Sequence, residues 1–165
     1  MDNIKIEKRR LSFEFVYETL RKISSLFTPP LSESLDIKAY ARKLSDKAQF
    51  IVCMNENEIL GFMAYYLNSS YQQIYITLIC VDIKYQSHGI GGMMLDYVTS
   101  NTCESDKLYE TIALEVNKKN GKAHRFYLKQ GFEEQEDRGE KLLMVKHILS
   151  SCFDSVKSNL WSKKQ

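Results

Sequence analysis

ITLICVDIKYQSHGIGGMML, residues 76–95, decides the fold. An apolar, β-branched run ends at Val81-Asp82, three glycines fall within four positions at 89–92, and a new apolar helical pattern opens at Met93. This reads as a strand, a tight loop and the first turn of a helix. Such glycines serve either of two ends. They permit close packing of the helix, or they let successive backbone N–H groups point at an anion while the helix offers its positive end. Two familiar phosphate loops are excluded. GxGxxG needs a third glycine where Met94 stands, and a Walker loop needs Gly-Lys followed by Ser or Thr.

Outward from that stretch, NIKIEK alternates as a short edge strand. Phe13, Val16, Tyr17, Leu20, Ile23 and Phe27 recur at helical spacing from Ser12 until Pro29 and Pro30 break the pattern. A second helix is expected over about 35–44. AQFIVCM and EILGFMAYYL read as a hairpin around NEN, and YQQIYITLICVD as a strand buried on both faces. The helix after the glycines should reach about Asn101. YETIALEV forms the next strand, Asn120 caps a helix that ends before Gly131, and FEEQED and KLLMVKHI form a last hairpin around Arg138-Gly139. Leu149, Phe153, Val156 and Leu160 lay an apolar stripe along residues 150–165. We expect a single domain over 1–149, followed by an amphipathic helix or tail that would cover the core or a second subunit of a homodimer. The order β-α-α-β-β-β-α-β-α-β-β implies an α+β fold: a mixed sheet of about six or seven strands with helices on both faces.

With 165 residues and 44% hydrophobic content, the chain can build one well-buried core. The 23 Lys+Arg against 21 Asp+Glu leave no global pull toward nucleic acid or an anionic membrane, so neither partner is expected. Cys53, Cys80, Cys103 and Cys152 form no CxxC pair, and His88, His124 and His147 are scattered, so no metal site is expected. Reduced cysteines in apolar surroundings, no apolar leader and no run of about 20 apolar residues favour the cytoplasm.

Gln86, Gly89 and Gly91 make QxxGxG at a strand-to-helix junction. Downstream, LEVNKKNGKAHRFYLKQGF at 114–132 fits LEVxxxNxxAxxxYxxxGF at every fixed position. Together, and in this order, these motifs resemble the GCN5-related N-acetyltransferase family over about residues 50–147. The resemblance implies an acetyl-CoA co-substrate, a bulged fourth strand and a fifth strand splayed from it. Backbone groups of Ile79 and Val81 would pair with the pantetheine arm. Amides of Ser87, His88, Gly89, Ile90, Gly91 and Gly92 would hold the pyrophosphate, with Gln86 as a further donor and Asn120 beside the arm.

The resemblance also assigns chemistry. Tyr127 would donate a proton to the departing CoA thiolate, and Glu115 would take the proton of the attacking amine, directly or through a water chain. Other members carry a basic glutamate eleven residues before the loop Gln; here that position is Tyr75. Acceptor walls would come from FTPPLSESLD, Tyr40, EDRGEK and Tyr65, Tyr66 and Tyr71. The expected activity is transfer of acetyl to a primary amine of a small molecule by direct attack in a ternary complex. Alternatives are a peptide or protein acceptor, and a non-catalytic acetyl-CoA-binding module.

Overall fold

In the computed structural model, which describes residues 3–101 and 109–148, the chain opens with β1 (Ile4–Lys8), α1 (Phe13–Ile23), a one-turn α2 (Leu31–Ser34) and α3 (Ile37–Lys47). Then come β2 (Gln49–Asn55), β3 (Glu58–Asn68), β4 (Gln73–Val81) and α4 (Ile90–Asn101), followed by β5 (Thr111–Asn117), α5 (Gly121–Lys129), β6 (Glu133–Arg138) and β7 (Lys141–His147). The helices start where the sequence supplies caps. Ser12, Asp36 and Asn120 accept from the N–H groups of Phe15, Ala39 and Ala123, satisfying donors with no intrahelical partner. The expected tail helix, and any subunit contact it makes, lies outside the described residues.

The seven strands form one sheet ordered β1-β2-β3-β4-β5-β7-β6, with β4 and β5 parallel and the other neighbours antiparallel. One face packs on α1 and α3 through Val16, Leu20, Ala41 and Leu44 against Phe50, Val52, Phe62, Leu78 and Cys80. The other packs on α4 through Ile90, Met94, Leu95 and Val98 against Ile51, Met63, Ile74, Ile76 and Leu114, with Phe126 and Tyr127 of α5 beside them. Helices on both faces and the mixed sheet agree with the sequence reading. The fourth strand departs from it: β4 alternates buried and half-buried residues along its length instead of burying both faces.

The cause is a bulge. Ala64 pairs with Leu78 and Tyr65 with Ile76, so Thr77 is an extra residue on β4. One extra residue reverses which face every later side chain occupies. Ile74 and Ile76 therefore join the α4-side core, whereas Leu78 and Cys80 join the α1/α3-side core. Ile79 and Val81 are left half-buried on the α4 side.

Just there, β4 and β5 part. They pair only over Gln73–Ile76 with Thr111–Leu114, while β4 stays with β3 to Val81 and β5 stays with β7 to Asn117. Asp82 donates its N–H to Leu60 in β3, so alternation turns the backbone groups of Ile79 and Val81 toward the open gap. Gly61 allows β3 to follow β4 along this segment: a Cβ on it would stand 2.7 Å from the Cys80 carbonyl oxygen and 3.2 Å from the Val81 Cα. Gly61→Ala should therefore cost roughly 1–3 kcal/mol of stability by urea denaturation, because backbone rather than a flexible side chain must give way.

Candidate active site

The glycine loop delivers an open helix end. The first intrahelical bond of α4 runs from Met93 N–H to the Gly89 carbonyl at 3.0 Å, which leaves the N–H groups of Ile90, Gly91 and Gly92 without intrahelical acceptors. Ser87 and Gly89 both have left-handed backbone, φ 66° and 78°, and so turn the chain into a concavity that suits an anion. Asp82 braces the loop by accepting from Lys84 N–H at 2.9 Å, and the Tyr85 hydroxyl donates to Glu58 at 3.0 Å. The Gln86 amide donates to the Val81 carbonyl at 3.3 Å, and His88 donates from Nδ1 to the Gln86 carbonyl at 2.9 Å. Gly91 lets α5 approach, since a Cβ there would meet the Phe126 ring at 3.2 Å.

A cleft of about 520 Å³ follows this helix end into the gap. Ile79, Val81, Gln86, Ser87, Gly89, Ile90, Gly91, Asn120 and Tyr127 all line it. Two other residues expected at the CoA phosphates do not. His88 points away toward the Gln86 carbonyl, and Gly92 is buried against Gln130. Several wall residues escaped sequence reasoning. Tyr85 precedes the first motif, Lys122 and Phe126 occupy variable positions within the second, and Ile23 and Leu26 reach over from the end of α1, next to Phe27 and Thr28 of the FTPPLSESLD segment that was expected as an acceptor wall. Leu26, 46% exposed just past the α1 stripe, was the available signal, because an apolar residue off the packing face invites a reason. Among the described residues, Lys122 is the one charged side chain in this wall.

Tyr127 stands on α5 with its ring edge-on to Phe126 and Phe132, at centroid distances of 5.2 and 5.7 Å. Burial pushes its phenol up to about 12, because a phenolate there would lose hydration. At neutral pH it is a fully protonated donor, and its hydroxyl has no hydrogen-bond partner among the described residues.

Glu115 lies on the other side of the sheet. Leu114 and Val116 face the α4-side core, so alternation puts Glu115 on the α1/α3 side, one residue past the last β4–β5 pair. Its carboxylate accepts from Arg138 Nη1 at 2.9 Å and from Lys141 Nζ at 3.3 Å. Burial works to raise its pKa, but the hydrogen bond from Arg138 and the charge and hydrogen bond of Lys141 outweigh it and hold the carboxyl below its usual range. Tyr75 sits beside it, pushed up to about 12 by burial and then by the Glu115 charge, and the Tyr40 hydroxyl lies 2.9 Å from that of Thr77. Of the aromatics expected as acceptor walls, Tyr65 is in the core, Tyr66 packs against the α1/α3 side and Tyr71 is exposed. None of the three lines the cleft. Among the described residues there is no metal-binding group of His, Cys, Asp or Glu, and no helix long and apolar enough to cross a membrane.

A mixed sheet parted between two parallel strands, with an open helix N-terminus at one end of the gap and a protonated phenol beside it, defines an acyl-CoA-dependent N-acyltransferase. The family model described as an acetyltransferase (GNAT) domain matches residues 25–145, and the chain belongs to this family, whose enzymes use acetyl-CoA as co-substrate. No curated protein matches the sequence. Solved structures do. A Pyrococcus horikoshii protein is 27% identical at TM-score 0.66, covering 88% of this chain and 98% of its own. A GNAT-family acetyltransferase from Elizabethkingia anophelis with acetyl-CoA bound is 20% identical at TM-score 0.68, with 89% and 99% covered. The ribosomal-protein-S18-alanine N-acetyltransferase of Escherichia coli is 18% identical at TM-score 0.67, with 88% and 94% covered.

The glycines separate by geometry. Gly89→Val forces a β-branched residue to φ +78° and should abolish the rise in melting temperature on adding CoA. Gly92→Ala should keep most of it, because only the flexible end of Gln130, 3.2 Å from the new Cβ, must move.

Proposed function

We propose that the protein transfers acetyl from acetyl-CoA to a primary amine of a small molecule, by direct attack within a ternary complex. The observation that carries this reading is the parted β4–β5 pair, whose backbone at Ile79 and Val81, left without a β5 partner, leads from the open end of α4 to Tyr127. The pyrophosphate would rest on the N–H groups of Ser87, Gly89, Ile90 and Gly91, and the pantetheine amides would pair with Ile79 and Val81 as an added strand. Asn120 caps α5 at the cleft wall, and Gln86 fixes the loop through the Val81 carbonyl while keeping one amide hydrogen for the phosphate. A backbone N–H near Val81 would polarise the acetyl carbonyl.

The acceptor nitrogen then forms its bond to the acetyl carbon as the C–S bond breaks. The amine loses one proton and the thiolate gains one. Tyr127, kept protonated by burial, is the donor to sulfur. Glu115 is a weak base while Arg138 and Lys141 hold it ionised, so it serves best by orienting the incoming ammonium as water carries the proton off. A second reading, acetylation of a peptide or protein amine, is favoured by a glutamate within the LEV motif and by the likeness to the ribosomal-protein-S18-alanine enzyme.

CoA at 100 times its dissociation constant should stabilise the protein by about 2.7 kcal/mol, and no thermal shift would sink the reading. An amine-library screen for thiol release from acetyl-CoA then tests turnover. Tyr127→Phe should cut kcat by about 10²-fold while CoA affinity stays within about twofold. An unchanged kcat removes Tyr127 from the chemistry. Because the Glu115 carboxyl titrates below its usual range, the rise of rate toward alkaline pH should report deprotonation of the acceptor. Glu115→Gln should therefore lower the rate across the profile without displacing that rise, whereas a displaced rise would make Glu115 the titrating base.

A further inference from the structure

The acceptor-side face of the gap carries a charge arrangement that the glycine loop and Tyr127 leave unused. Arg138, at the β6–β7 turn, spans two carboxylates. Its Nη1 holds Glu115 at 2.9 Å, while Nε and Nη2 both hold one oxygen of Glu136, at 2.9 and 2.8 Å. The two carboxylates differ in kind. The Glu115 side chain is 22% exposed and is held by Lys141 as well, whereas that of Glu136 is 55% exposed, only two residues from Arg138 in sequence. The Nε/Nη2 edge is the fork that a planar carboxylate fits best. Glu136 covers it with a single oxygen, and exchanging an exposed pair of this type costs little.

Around this fork lie Tyr75, whose phenol feels both the Glu115 and the Arg138 charges as well as the nearby Tyr40 hydroxyl, and Thr77, which pairs with Tyr40. These groups stand where β4 and β5 part, on the face opposite α4. The geometry points to an acceptor that is itself zwitterionic, an α-amino acid whose carboxylate displaces Glu136 from Arg138 and whose ammonium is oriented by Glu115. The internal ion pair Arg138–Glu136 is then exchanged for two pairs across the ligand, its carboxylate on Arg138 and its ammonium on Glu115. Lys141 stays on Glu115 and keeps it ionised. Glu136 returns to water. A peptide N-terminus has the same amine without the adjacent carboxylate, so it would leave the fork with Glu136. This inference rests on the acetyl-transfer reading for its chemistry, but the binding it describes does not require turnover.

The experiment compares α-amino acids with their α-carboxamides as acceptors, in parallel with calorimetric titration of the same compounds into the protein saturated with CoA. The carboxamide mimics a peptide N-terminus. We expect kcat/KM for the acids to exceed that for the carboxamides by about tenfold or more, and the acids alone to bind measurably. In Arg138→Gln the ratio should collapse toward unity, with partial recovery in Arg138→Lys. Glu136→Gln should lower KM for the acids by about two- to threefold, because the competing carboxylate is gone. A purely structural Arg138 would depress both substrates together and leave the ratio unchanged, which would overturn the inference. Equal or better use of the carboxamides by the wild-type protein would also overturn it, in favour of a peptide acceptor. Preference for O-phosphoethanolamine would overturn the carboxylate assignment. Arg138-dependent binding of amino acids without acetylation of any amine would sink the transfer reading and leave this site standing. Acetylation without Arg138-dependent preference would do the reverse.

Discussion

Thr77 is one residue more than β3 can pair, and the site depends on it. The bulge reverses the facing of β4, so the strand that begins by feeding the α4-side core ends by feeding the other. Ile79 and Val81 are thereby left half-buried with their backbone groups turned to an open edge. A sheet edge of this kind is normally a liability that proteins cover or pair. Here β5 has moved away to pair with β7, and the edge becomes the inner wall of a cleft.

The two ends of that cleft use different electrostatics. At the glycine loop the polar groups on offer are backbone dipoles, with left-handed conformations at Ser87 and Gly89 that turn the chain into a concavity. Nearly balanced charge over the whole chain fits a cleft wall whose described residues include a single charged side chain, Lys122. Across the sheet, the face carrying Glu115 relies on side-chain charges set close together, Arg138 and Lys141 against Glu115 and Glu136. Between them Tyr127 works by the opposite means. Its burial removes the alternative charged state and leaves a proton to share. The division suits chemistry in which an anionic carrier is held at one side and an amine must lose a proton at the other.

Much of this was legible in residue order. Local signals gave the cap at Asn120, the start of the first helix at Ser12, the strand-loop-helix junction at 76–95 and the wall residues of the cleft that belong to the two motifs. Other features were not local. The partners of Glu115 lie 23 and 26 residues along the chain, and only the pairing of β5 with β7 brings them to it. The sequence reading treated Glu115 chiefly as a base, because nothing near it in the chain announces two cations. Tyr65, expected as an acceptor wall, lies in the α4-side core for a related reason: β3 alternates it with Ala64 and Tyr66 of the other face, and an aromatic strand residue carries no mark of which face it occupies.

By itself the sequence determined the element order apart from the one-turn α2, the mixed sheet and the family, because periodicity, capping residues and glycine spacing act over a few neighbours. Only the tertiary structure decided that β4 buries one face at a time, that His88 and Gly92 stand outside the cleft, and that Leu26 and Lys122 stand within it. Those outcomes depend on register and on helices arriving from distant segments. A single extra residue at Thr77 changes which side of the sheet a side chain meets, and no count of local propensities contains that choice.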